Sequence, residues 1–181
     1  MKYIFDFDDV LFNNTKEFRI YMYACLEEAG VARSDAEAYY ETVRTKEFSL
    51  IDFISNLLSQ SVSEQKGGTT TEEIYGKIMS KCKDFINIEL IEKVKTFGKD
   101  NCYIITNGER KFQEDKMARS GITPLFKEIH IVPGSKKEFI YTICNDNKDE
   151  EVFYFEDKIR FIEDVDLTKC PNLKVVHCKI T

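Results

Sequence analysis

Two aspartates, Asp6 and Asp8, stand two residues apart where the apolar run Tyr3-Ile4-Phe5 gives way to acids. That run is β-branched and aromatic, so it reads as a buried strand. In an extended backbone a spacing of two puts both side chains on one face. Adjacent carboxylates repel, and each loses hydration unless something positive lies between them. A divalent cation meets that need, and hard oxygen ligands suit magnesium, Mg2+. The alternative is a strand end whose acids face water. Three further groups fall at strand ends or helix starts: Thr106, the pair Lys136-Lys137, and the pair Glu156-Asp157. Each has an ordinary reading as well. Thr106 can simply end a strand, the lysines can form a solvated helix start, and the acids can cap a helix favoured by its dipole.

The elements that position these groups follow from the hydrophobic period. Asn14 or Thr15 can cap a helix through Glu28, with Gly30 as its stop signal. Further helices are predicted from Ser34 or Asp35 to Arg44, from a Ser49 cap through Leu58, and from a Thr71 cap through about Phe85. The stretch 61–71, with Lys66-Gly67-Gly68-Thr69-Thr70, is polar and glycine-rich and reads as a loop. No strand signal interrupts 14–85. Since a βαβ crossover needs one helix, this block reads as an insertion. Beyond it, strands and helices alternate. The strands are Cys102–Thr106, Glu128–Val132, Val152–Phe155 and Lys174–Cys178. The helices are Ile88–Phe97, Arg110–Arg119, Lys136–Cys144 and Ile159–Val165. Such alternation implies a parallel sheet covered on both faces, with ligands outside the carboxyl ends of its strands. Asp6, Asp8, Thr106 and Asp157 lie at those ends.

The chain has 181 residues, 43% hydrophobic and 32% charged, with a formal net charge of -6. This is enough for one core and one inserted subdomain. The acidic balance argues against nucleic acid as a partner. No apolar run approaches a membrane span, and the opening Met1-Lys2-Tyr3 leads straight into the first strand, so the expected location is cytoplasmic. None of the six cysteines forms a CxxC pair, which points to free buried thiols. His130 and His177 read as structural or surface residues rather than a zinc site.

In order, these marks resemble the haloacid dehalogenase (HAD) superfamily. Asp6-Phe7-Asp8 matches its first motif, and Tyr103-Ile104-Ile105-Thr106 its second. A lysine within Gly134-Ser135-Lys136-Lys137-Glu138-Phe139-Ile140 matches the third, and Val152-Phe153-Tyr154-Phe155-Glu156-Asp157 the fourth. The stretch 120–129 also looks like the family's approach to its third strand. The resemblance implies a three-layer, Rossmann-like α/β core from 1–13 and 86–181, with an inserted α-helical cap at 14–85. It implies Asp6 as nucleophile, Asp8 as general acid and base, and magnesium held by Asp6, the Asp8 backbone carbonyl and Asp157. Thr106 and the Asn107 amide would hold phosphate oxygens, and Lys136 would neutralise the phosphorylated site, with Lys137 as the other candidate.

Two departures stand out. Asp9 replaces a glycine that often follows the second aspartate, and Asp tolerates a left-handed backbone. Phe161 and Ile162 occupy positions where many members carry a further acid, a role left to Glu156, directly or through a metal-bound water. The activity expected is a magnesium-dependent phosphatase acting on a small phosphorylated metabolite. Its rivals are a phosphomutase or another phosphotransferase of the same fold, and an idle binding or regulatory scaffold. Arg19, Arg44, Lys46 and Arg110 are candidate contacts for a substrate anion, or solvated surface charges. Substrate and oligomeric state are not encoded in any motif.

Overall fold

The computed structural model describes residues 1–44, 47–60 and 69–179. Lys46 and positions 61–68 of the glycine-rich stretch lie outside them. The chain divides into two compact units. The first takes Met1–Asn13, Ile86–Asn107 and the chain from Gly121 onward. The second takes Asn14–Phe85 together with Gly108–Ser120.

The first unit is built on five parallel strands: β1 (Lys2–Phe5), β2 (Cys102–Asn107), β3 (Glu128–Val132), β4 (Val152–Glu156) and β5 (Leu173–His177). Their order is β3-β2-β1-β4-β5, so β1 is central and the order reverses around it. Ile4 pairs in register with Tyr103 and Tyr154. These three join Ile105 and Val152 on one face, and Ile140, Ile143 and Cys144 of α7 (Lys137–Asp146) pack there. On the other face Tyr3 stacks on Phe97, ring centroids 3.8 Å apart, and Phe5 stacks on Phe155 at 4.7 Å. Phe97 ends α5 (Ile88–Phe97), which stops at Gly98 with φ 83. The period-2 alternation of β1 and β4 thus serves two apolar faces at once, making three layers. α8 (Ile159–Glu163) is a single short turn after β4, shorter than the helix to Val165 that the pattern predicts.

In the second unit, α1 (Arg19–Glu28), α2 (Arg33–Val43), α3 (Leu50–Gln60), α4 (Thr71–Met79) and α6 (Arg110–Ser120) pack on one another. α3 buries Leu50, Phe53, Ile54, Leu57 and Leu58, the stripe expected of an amphipathic helix. Phe48, Phe53, Phe112, Phe18 and Phe85 form a linked aromatic core. α6 belongs here because Phe112 stacks edge-on to Phe48 and Tyr75 donates to Asp115 at 2.8 Å. Its buried Lys116 lies over the Phe112 ring at 4.8 Å.

Local chemistry moves several boundaries. The cap of α4 is Thr70, not Thr71: the Thr70 hydroxyl accepts from the Glu73 N–H at 3.2 Å while Glu73 accepts from the Thr70 N–H at 2.9 Å. That helix stops at Met79, and a separate 3-10 turn covers Cys82–Phe85. The segment expected to open the first helix, Asn14–Phe18, is wound as a π-type turn ahead of α1. All six cysteines are free. Among the described residues no helix is long and apolar enough to cross a membrane.

Candidate active site

β1 ends at Phe5, earlier than an extended run through Asp8 requires. The Asp6 N–H still donates to the Phe155 carbonyl at 2.9 Å, but from Phe7 the chain turns. The Phe7 carbonyl accepts from the N–H groups of Leu11 and Phe12, both at 3.0 Å. The Asp9 N–H donates to the Phe12 carbonyl at 2.7 Å, with Asp9 at φ 64. Buried Phe7, Val10, Leu11 and Phe12 anchor this loop. Asp6 is therefore buried and Asp8 only half-buried, and the shared strand face expected from their spacing is not what places them.

Asp6 stands one residue beyond the Phe5–Phe155 pair, on the face that α7 covers. Lys136 immediately precedes α7. Its Nζ lies 2.8 Å from Asp6 Oδ1 and 2.6 Å from Glu156 Oε2. Asp6, Lys136 and Glu156 are 2%, 1% and 0% exposed, so each charge depends on the others for solvation. Lys137 is half exposed and pairs instead with Asp164 at 3.3 Å, so of the two adjacent lysines Lys136 is the one that lies at the acids. Burial works to raise the Asp6 pKa, but the Lys136 and Lys158 ammonium groups outweigh it, and the carboxyl is held below its ordinary value.

The loop between β3 and α7 is fixed from β2. Asn107 Nδ2 donates to the Val132 carbonyl at 2.9 Å and to the Gly134 carbonyl at 3.2 Å, just ahead of Lys136. Beside it, the buried Thr106 hydroxyl oxygen has no hydrogen-bond partner among the described residues. An orphaned buried hydroxyl at a strand's carboxyl end is suited to an anionic oxygen from a ligand.

Glu156 ends β4 with both oxygens engaged. Oε2 accepts from the Tyr154 hydroxyl at 2.5 Å as well as from Lys136, and Oε1 accepts from the Lys158 N–H at 3.0 Å. Asp157 follows, its carbonyl accepting from His177 Nε2 at 3.0 Å when that nitrogen carries the proton. One oxygen each of Asp6, Glu156 and Asp157 lie within 4.8 Å of one another, a grouping that can hold a metal ion. Asp157 Oδ1 is buried without a hydrogen bond among the described residues, which fits a cation ligand better than a structural acid. Burial, with the Asp6 charge adding to it and Lys158 opposing, raises Asp157 to about 8. The Asp8 carboxylate stands outside this grouping.

Two residues here escape sequence reasoning. Lys158 lies 3.8 Å from Asp157 Oδ1, and although burial works to lower its pKa, Asp6, Asp157, Asp8 and Glu156 together raise it. Tyr154 holds Glu156. A signal for it existed, since residues two apart on a strand share a face and a buried tyrosine hydroxyl seeks an acceptor. Three of the four basic candidates for a substrate anion have partners in the helical unit. Arg19 lies over Tyr40, Arg44 pairs with Glu41 and Arg110 with Glu114, all within the helical unit, and Lys46 is outside the described residues.

The sequence profile of the haloacid dehalogenase-like hydrolases matches residues 3–176. No curated protein matches the chain. Among solved structures it resembles a haloacid dehalogenase-like hydrolase from Burkholderia xenovorans at 18% identity and TM-score 0.67, covering 97% of this chain and 80% of that one. A protein assigned as beta-phosphoglucomutase from Thermotoga maritima aligns at 18% identity and TM-score 0.56, over 98% and 86%. The HAD-hydrolase YfnB from Bacillus subtilis, bound to magnesium, aligns at 18% identity and TM-score 0.54, over 96% and 84%. At such identity these likenesses establish a shared fold, while the profile spans nearly the whole sequence and takes in the buried aspartate, the lysine and the paired acids alike: the chain belongs to the haloacid dehalogenase-like hydrolases.

Proposed function

We propose that this protein is a magnesium-dependent phosphatase that hydrolyses a small phosphorylated metabolite through an aspartyl-phosphate. The observation that carries the reading is Asp6: a buried carboxylate at a strand end, held ionised beside Lys136, with a second, half-buried acid two residues on. An Asp6 oxygen attacks phosphorus as the ester P–O bond breaks, and the departing alkoxide takes a proton from Asp8. Water then attacks the phosphorus of the Asp6 acyl phosphate and gives its proton to Asp8, releasing phosphate and restoring the Asp6 carboxylate. Lys136 offsets the charge of the phosphorylated side chain, and Thr106 and the Asn107 amide hold phosphate oxygens. Asp6 and Asp157, with Glu156 and the Asp8 carbonyl, are the groups that would hold magnesium. When bound, the ion supplies counter-charge that lets two anions approach. The segment 14–85 is proposed as the cap of the family, by its place in the chain.

Asp8 is what separates an ester substrate from a haloacid. A halide leaves readily as an anion, whereas an alkoxide must be protonated as its bond breaks. The test is a panel of phosphorylated metabolites with magnesium, read for inorganic phosphate, beside a short 2-haloacid read for halide. Phosphate release supports the reading. Halide turnover without magnesium would replace it with a dehalogenase, and sugar-phosphate isomerisation without net phosphate release with a mutase.

A further inference from the structure

The acid cluster carries a positive charge of its own on the chain. Lys158 roots directly after Asp157, and its backbone N–H is tied to Glu156 Oε1 at 3.0 Å. That bond holds the Lys158 backbone beside the acids, while the side chain is 40% exposed, with solvent to withdraw into. Its Nζ is 3.8 Å from Asp157 Oδ1, the buried oxygen that has no hydrogen bond. Lys136 does not play this part, because its ammonium is already enclosed between Asp6 and Glu156. α8 adds no further carboxylate four or five residues after Asp157. Those positions are Phe161 and Ile162, and the Phe161 ring lies against Lys136 at 4.6 Å. The cluster is thus short of one acid and supplied with one tethered cation.

We propose that Lys158 is an internal competitor for the divalent-cation site: its ammonium stands at the Asp157 carboxyl when no ion is bound, and must withdraw for an ion to enter. This rests on reading the cluster as a magnesium site, but not on turnover. The consequence is a weakened affinity, so that the site fills only at high free magnesium. A dication about 5 Å from a unit positive charge is repelled enough, even at the dielectric constant of water, to lower its affinity on the order of tenfold.

The test is calorimetric titration of the full chain with magnesium chloride at low ionic strength, comparing wild type, Lys158→Met and Lys158→Arg, with Asp157→Asn as the site control. Melting temperatures are read with and without magnesium. Lys158→Met is expected to bind magnesium about tenfold more tightly than wild type, to melt lower without it and to gain more from it. Lys158→Arg is expected to stay near wild type. Equal or weaker binding by Lys158→Met overturns the role of Lys158 while leaving the magnesium site standing. Wild-type binding that Asp157→Asn does not diminish, or no binding by any form, overturns the site itself and the inference with it.

Discussion

Replacing Lys136 by Met removes the cation enclosed between Asp6 and Glu156 while keeping most of the side chain's volume. Removing one partner from a buried ion cluster leaves uncompensated charge and costs about 3–5 kcal/mol. Here the cost has a pH signature. With Lys136 gone, burial of Asp6 is no longer outweighed, its carboxyl holds a proton, and the variant's folded state binds one more proton than its unfolded state at pH values above the ordinary carboxylate range. Its stability then falls as pH rises, by up to about 1.4 kcal/mol per pH unit. In the wild type Asp6 is depressed, so its contribution is fully present above the unfolded value near 4 and is lost only on acidification through the folded pKa. The difference between the two proteins should therefore widen by roughly 2–3 kcal/mol between about pH 5 and pH 7. Urea unfolding at several pH values without magnesium measures it. A destabilisation below about 1 kcal/mol, or one independent of pH, would refute the reading of Lys136 as the counter-ion of the cluster.

Asp157 predicts a second pH effect. With its pKa raised to about 8, it is protonated at neutral pH when no cation is bound, so magnesium must displace a proton. Magnesium affinity should rise with pH up to about 8 and then level, and stability without the ion should decline over the same range. A flat affinity would contradict both. Tyr154→Phe removes a bond to a buried charged acceptor and is expected to cost about 1.5–3 kcal/mol in denaturant unfolding. A change below about 0.5 kcal/mol would mean that Glu156 does not depend on it. At Asp9, with φ 64, a β-branched substitute is strained: Asp9→Val should lose about 1–2 kcal/mol more than Asp9→Gly, which also lacks the Asp9 side chain but adopts this φ freely. Equal midpoints for the two variants would count against strain at this turn.

Hydrophobic period and punctuation made the core elements legible: Glu128–Val132 and Ile88–Phe97 have the bounds their patterns predict, because an apolar run broken at Pro133-Gly134 and a glycine stop at Gly98 act locally. The strand ends carrying Asp6, Thr106 and Asp157 were legible for the same reason. The neighbourhood of Lys136 was less so. Two adjacent lysines at a helix start are equivalent on paper, and only the fold shows one enclosed by acids and the other at the surface. Lys158 has no signature at all, because a lysine after two acids reads as surface charge until its neighbours are known. The turn at Phe7 defeated the extended reading of Asp6 and Asp8 because three successive N–H groups, from Val10 to Phe12, converge on one carbonyl, an arrangement that spacing does not reveal.

The most direct test of the central claim is chemical trapping of the covalent intermediate. The protein is incubated with magnesium and a phosphate ester it turns over, quenched, reduced with borohydride and mapped by peptide mass spectrometry. An acyl phosphate at Asp6 is reduced to the alcohol, so the account predicts homoserine at position 6, dependent on substrate and missing in Asp6→Asn. Steady turnover with position 6 unmodified, or with the modification at another acid, would contradict it.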